Sequence, residues 1–123
     1  MNIEDFRAYC LSKTGAEEGF PFDEQTLVFK VAGKMFALCA LEHQPISVNL
    51  KSEPEYSIEL RERYPDVILP GYHMSKLHWN TILLEANLEM KMYTDLIDRS
   101  YRLVRQGLKK SLKQELEDME SDD

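Results

Sequence analysis

The run TLVFKVAGKMFALCAL, residues 26–41, restricts the possible folds more than any other part of the chain. Aromatic, β-branched and small apolar residues fill both arms. Ala32-Gly33 between them supplies a short turn in which glycine takes positive φ without strain. With a two-residue loop, Val31 faces Lys34, Phe29 faces Phe36 and Leu27 faces Leu38. Two aromatics and two leucines then share one face of the sheet. Lys30, Met35, Val28, Ala37, Thr26 and Cys39 form the other face, small and mixed, as suits a sheet that helices cover on one side only.

A lone hairpin is marginal in water, so further strands must widen it. PISVNL, residues 45–50, supplies one, with Ile46, Val48 and Leu50 alternating. DVIL, residues 66–69, and HWNTILLEA, residues 78–86, read as two more, joined by the connection PGYHMSKL. The polar GAEEG at residues 15–19 reads as a connection, and Pro21 in the following FPF favours an edge or a turn.

Three helices complete the pattern. Asn2 caps the first, with Glu4 and Asp5 suited to its positive end and Gly15 near its finish. In SEPEYSIELRERYP, Ser52 and Glu55 have capping-box spacing, Pro54 lies in the first turn, and Pro65 stops the helix. The last helix begins near Leu88 or Glu89 and is expected to reach about residue 116. At about 100° per residue, Tyr93, Ile97, Tyr101, Val104, Leu108 and Leu112 share one side. Arg99, Arg102, Arg105, Lys109, Lys110 and Lys113 take the other, a basic ridge facing water. The order helix, three strands, helix, two strands, helix predicts an α+β two-layer sandwich with a five-stranded antiparallel sheet and helices on one face.

At 123 residues the chain has room for one core, and its 43% apolar and 30% charged composition is that of a globular domain. No apolar run is long enough to cross a bilayer and no signal-peptide pattern opens the chain, so a cytoplasmic protein without a membrane partner is expected. Cys10 and Cys39 sit in apolar patterns and are expected to be reduced and buried. The net charge of −7 comes chiefly from ELEDMESDD, residues 115–123, which carries six acids and no base; without it fifteen bases face sixteen acids. The domain is therefore expected to span residues 1–114, followed by an acidic tail that frays because its acids stand at a negative helix end.

FPFDEQTLVFKVAGKMFAL, LRERYPDVILPGYHMSKLHWNTI and DLIDRSYRLVRQGLKK, together covering the chain from about Phe20 to Lys110, resemble the MmcQ/YjbR family. The resemblance implies a CyaY-like fold, also described as secretion-chaperone-like. It implies DNA binding through two projecting wings, and it supplies no catalytic residues.

Four side chains on the connection PGYHMSKL and at the start of the last strand invite a functional reading: His73, Lys76, His78 and Trp79. As a nucleic-acid platform, Lys76 meets a phosphate, the histidines donate hydrogen bonds and Trp79 stacks. As a corner of the fold, Pro70-Gly71 turns the chain, and Tyr72 and Trp79 anchor it in the core. Lys34 at the hairpin tip is a second phosphate contact, and Arg102, Arg105 and Lys109 offer a further patch that the acidic tail could mask. His73 and His78 lack metal-ligand spacing, and no nucleophile has an adjacent base, so neither a metal, a cofactor nor catalysis is expected. Two functions follow: binding of double-stranded DNA, or a protein-binding adaptor working through the open sheet face or the last helix.

Overall fold

A computed structural model describes residues 1–121. Helix α1 (Ile3–Leu11) is closed by a reciprocal capping box, in which the Asp5 amide donates to Asn2 Oδ1 at 2.8 Å. Gly15 follows at φ +70° and turns the chain into strand β1 (Ala16–Gly19), which pairs antiparallel with β2 (Thr26–Val31). The segment read as a polar connection is thus a strand. Its short polar sequence carries no alternating apolar signal, because it is an edge strand. The hairpin partner of β2 is β3 (Lys34–Ala40), then come β4 (Ser47–Lys51), helix α2 (Pro54–Arg63), β5 (Ile68–Pro70), β6 (Trp79–Leu83), and helices α3 (Met90–Gln106) and α4 (Lys110–Ser121). The sheet has six strands, not five, in the order β1-β2-β3-β4-β6-β5, and every pairing is antiparallel.

The β2–β3 register departs from the expected one beyond the turn. Val31 pairs with Lys34 and Lys30 with Met35, but Phe29 pairs with Ala37, so Phe36 is an extra residue. This bulge puts Phe36 and Ala37 side by side in the main core, and it reverses the faces of Leu38 and Cys39 relative to the sequence reading. Cys39 therefore lies in the core with Leu27, Phe29 and Val31, while Leu38 joins Val28 and Trp79 on the far face.

All four helices bury side chains in the main core: Phe6 and Cys10 from α1, Leu60 from α2, Tyr93, Leu96, Ile97, Tyr101 and Val104 from α3, and Leu116 from α4. Each large apolar side chain buried this way contributes about 1.5–3 kcal/mol. Phe29 and Phe36 are buried completely, and Phe36 meets Tyr101 edge-on at 5.3 Å. On the far face the buried apolar side chains among the described residues are the small cluster of Val28, Leu38 and Trp79, with Met35 and Met74 against it.

Two helical expectations are corrected. Glu53, not Ser52, stands at the N-cap of α2, with no side-chain capping bond, and the Ser52 hydroxyl pairs with that of Ser57 inside the protein. The last helix is two. It breaks after Gln106 at Gly107, where helix propensity falls by about 1 kcal/mol relative to alanine, and resumes at Lys110. The break splits the expected ridge between α3, the connection and α4. The acidic segment is helical through Ser121, held by buried Leu116; Asp122 and Asp123, also part of the expected frayed tail, lie outside the described residues.

Candidate nucleic-acid interface

The β2–β3 turn and the β5–β6 connection reach the same end of the sheet. The ladder runs Val31 to Lys34 across the hairpin, Ala37 to Leu50 on the next rung, Lys51 to Trp79, and Asn80 to Pro70. Met35 and Met74, one beside each tip, pack on the same cluster of Val28, Leu38 and Trp79. Lys34, Lys76, His73 and His78 are all exposed there. Lys51 shares this end, an addition the sequence reading did not make.

The connection at residues 71–78 is ordered by backbone bonds. The Gly71 amide donates to the Trp79 carbonyl at 2.9 Å, and the Trp79 amide donates to the Ser75 carbonyl at 2.9 Å. A β-carbon on Gly71 would lie 2.8 Å from the Trp79 carbonyl oxygen and 2.9 Å from its Cβ, so only glycine fits. Arg61, on α2, pins the loop from behind. Its guanidinium donates to the Lys76 carbonyl and, at 3.3 Å, to that of Trp79, while its Nε donates to Asn80 Oδ1 at 2.6 Å. Arg61 was passed over in sequence because its role is long-range; its only local cue was a place in LRERYP. Ser52 completes the frame, its amide donating to the His78 carbonyl at 3.0 Å.

Trp79 is an anchor, as the corner reading requires. Tyr72 is not: it is 62% exposed, and its ring lies 4.0 Å from that of His73, which is held at φ +59°. The amide of Tyr72, rather than its ring, ties it down, by donating to Thr81 Oγ1 at 2.9 Å.

Ion pairs among the described residues use Arg7, Lys13, Arg63, Lys91, Arg99 and Arg105, and none uses Lys34, Lys51, Lys76, Arg102 or Lys109. Arg105 is therefore no open cation: Glu120 of α4 takes it in two hydrogen bonds of 2.7 and 3.0 Å, and Tyr101 adds a third contact at 3.3 Å. Arg99 pairs with Glu53 at 2.8 Å and lies over the Tyr56 ring. Exposed Arg102 and Lys109 belong to the helical layer, Arg102 on α3 and Lys109 on the connection to α4. The structure thus places four candidates on the two tips, two on the helical layer, and one in an internal ion pair.

Both cysteines are free and buried. Burial pushes the Cys39 thiol up to about 11 and Cys10 further, so neither is a thiolate at neutral pH. No helix among the described residues is long and apolar enough to cross a membrane.

A family model described as YjbR matches residues 11–103 of the chain. Among curated relatives, the uncharacterized protein YjbR of Escherichia coli K12 is 35% identical over 103 residues, 83% of this chain and 86% of that protein. The uncharacterized protein YbdF of Escherichia coli O157:H7 is 38% identical over 91 residues, 74% of each chain. Among solved structures, the Deinococcus radiodurans protein DR2400, described with a DUF419 domain, superposes with a TM-score of 0.87 at 38% identity, covering 94% of this chain and 87% of that one. A Pseudomonas syringae protein superposes with a TM-score of 0.70 at 28% identity, covering 85% of this chain and 99% of that one.

Proposed function

The chain belongs to the YjbR family, and on that footing we propose that it is a non-catalytic, cytoplasmic DNA-binding protein of CyaY-like architecture. Its contact surface is the sheet end where the two tips stand as wings, with Lys34 and Lys76 on phosphates and His73 and His78 beside them. The observation that carries this reading is the convergence of the two connections on one end with lysines that no carboxylate among the described residues engages. Phosphate contacts of this kind position a protein on a duplex without reading bases, so binding with little sequence preference follows. Lys51 adds charge from the strand between them, and Arg102 and Lys109 form a separate, weaker patch.

Fluorescence anisotropy of a labelled duplex tests the reading. With two to four phosphates neutralised, affinity falls roughly ten- to hundredfold between 50 and 200 mM salt. Lys34→Glu and Lys76→Glu each weaken binding across all sequences and lower the salt slope by about 1. Absence of binding at low salt would remove DNA as the ligand. Specific capture of a protein partner insensitive to Lys76→Ala would replace it with the adaptor role.

A further inference from the structure

The sheet face turned away from the helices holds a groove of about 710 Å³, a size typical of small-molecule sites. Its floor comes from β3, β4 and β6, and three connections wall it: the β1–β2 segment with Phe22, the β3–β4 segment with His43, and the β5–β6 segment with Tyr72. Leu38, Leu69 and Leu83 make the lining mainly apolar.

One polar feature stands in this floor. The Thr81 hydroxyl donates to Asn49 Oδ1 at 2.6 Å and itself accepts from the Tyr72 amide. That occupies the Asn49 oxygen and leaves its amide nitrogen with two hydrogens and no acceptor among the described residues. At the mouth, Tyr72 and His73 present neighbouring rings, with His73 held in a left-handed backbone conformation that a non-glycine residue seldom adopts.

Charge narrows the occupant. No lysine or arginine lines the groove, so nothing fixed awaits a phosphate or carboxylate. Asp23, its one carboxylate, is already satisfied by the Gln25 and Thr26 amides at 2.8 and 2.7 Å. The floor strands β3, β4 and β6 are interior to the sheet and paired on both sides; the one edge beside the groove is β5, which has only three residues and ends in Pro70, so it offers an extended peptide little ladder to join.

We infer that this groove binds an uncharged, flat aromatic small molecule carrying a hydrogen-bond acceptor, with its ring against Tyr72 and His73 and its acceptor on the Asn49 amide. The groove shares His73 with the β5–β6 tip but none of its lysines, and the proposal stands whether or not DNA binds there.

Prodan, a neutral naphthalene ketone, is the probe. Titrated into the full chain, it shows a saturable blue shift at one site per chain with micromolar Kd. Tyr72→Ala and Asn49→Leu each weaken it at least tenfold, with folding checked by thermal melting, while Leu77→Ala, outside the groove, leaves it unchanged. Duplex affinity is unaltered in Asn49→Leu. No saturable shift, or unchanged affinity in Tyr72→Ala, overturns the proposal. So does displacement of prodan by apolar peptides but not by 2-acetylnaphthalene, which assigns the groove to peptides. A dimer in sedimentation that excludes prodan and is dissolved by Leu69→Glu assigns the face to a second copy.

Discussion

Gly71 illustrates how one residue sets the position of several others. Its missing side chain lets the β5–β6 connection lie against the backbone of Trp79, and that close approach fixes where His73, Lys76 and His78 emerge. Gly71→Ala must push the connection off the strand, at a cost of about 1–3 kcal/mol measured by urea denaturation. DNA affinity should fall with it, since Lys76 moves although its own charge is kept. Unchanged stability would mean that the connection yields freely and does not hold a wing. The same residue-level logic applies to Arg61, which donates to two loop carbonyls and to Asn80 from behind the sheet. The Nδ2 of Asn80 is buried with no partner among the described residues, so the Arg61 bond is the side chain's one compensation.

At the scale of elements, the bulge in β3 and helix α3 depend on each other. Past the Ala37–Leu50 rung the regular β3–β4 ladder stops, and the Lys51 amide turns to a side chain of α3. Ser100 of α3, fully buried, fills the gap: its hydroxyl accepts from the Lys51 amide at 2.8 Å and donates to the Phe36 carbonyl at 2.5 Å. One helical serine thus completes the sheet where the extra residue interrupts it. Ser100→Ala leaves a buried donor and a buried acceptor together, and about 2–4 kcal/mol of stability should be lost. Hydrogen exchange at the Lys51 amide is the discriminating measurement. Its protection should collapse while that of Val48 persists; equal protection in both proteins would show that another group takes over.

Over the whole molecule, charge is arranged by the fold rather than by the run of residues. α4 turns back after Gly107 so that Leu116 lies over Gly15 and Glu120 reaches both Arg105 and Thr14. The segment that gives the chain its acidity thereby silences a cation of α3, and among the described residues none of its carboxylates pairs with Lys34 or Lys76. The Arg105 guanidinium, aided by the Thr14 hydroxyl, holds the Glu120 carboxyl down to about 2. Because the folded value lies below the unfolded one, near 4.5, this pair stabilises the fold above that pH and ceases to do so as pH falls toward 2. Thermal melts of the protein and of Glu120→Gln should differ at pH 6 and converge between about pH 4.5 and 2. A constant difference would show that the pair contributes nothing through its charge. Asp98 adds to the same acid sensitivity: burial alone would raise its carboxyl, but hydrogen bonds from Lys13 and Tyr9 outweigh that and hold it low, joining α1 to α3. Deleting residues 115–121 is a poorer way to expose Arg105, since it also removes Leu116 from the core.

The sequence alone determined what depends on near neighbours. The turn at Ala32-Gly33, the Asn2 cap, Pro54 at the start of α2 and the apolar side of α3 are all written in residues a few positions apart, where backbone sterics and amphipathic period act. From these α1, α2 and the start of α3, most strands and the family resemblance could be read, and with them the candidates Lys34, His73, Lys76 and His78. Only the tertiary structure decided the rest, because it depends on groups distant in the chain. β1 is a strand because β2 offers it a ladder, and Leu38 faces the groove because Phe36 is accommodated against α3. Arg105 is silenced because a glycine break returns α4 to it. A periodic pattern specifies which side of an element is apolar; which charge meets which, and which surface is left bare, is settled only when the elements pack.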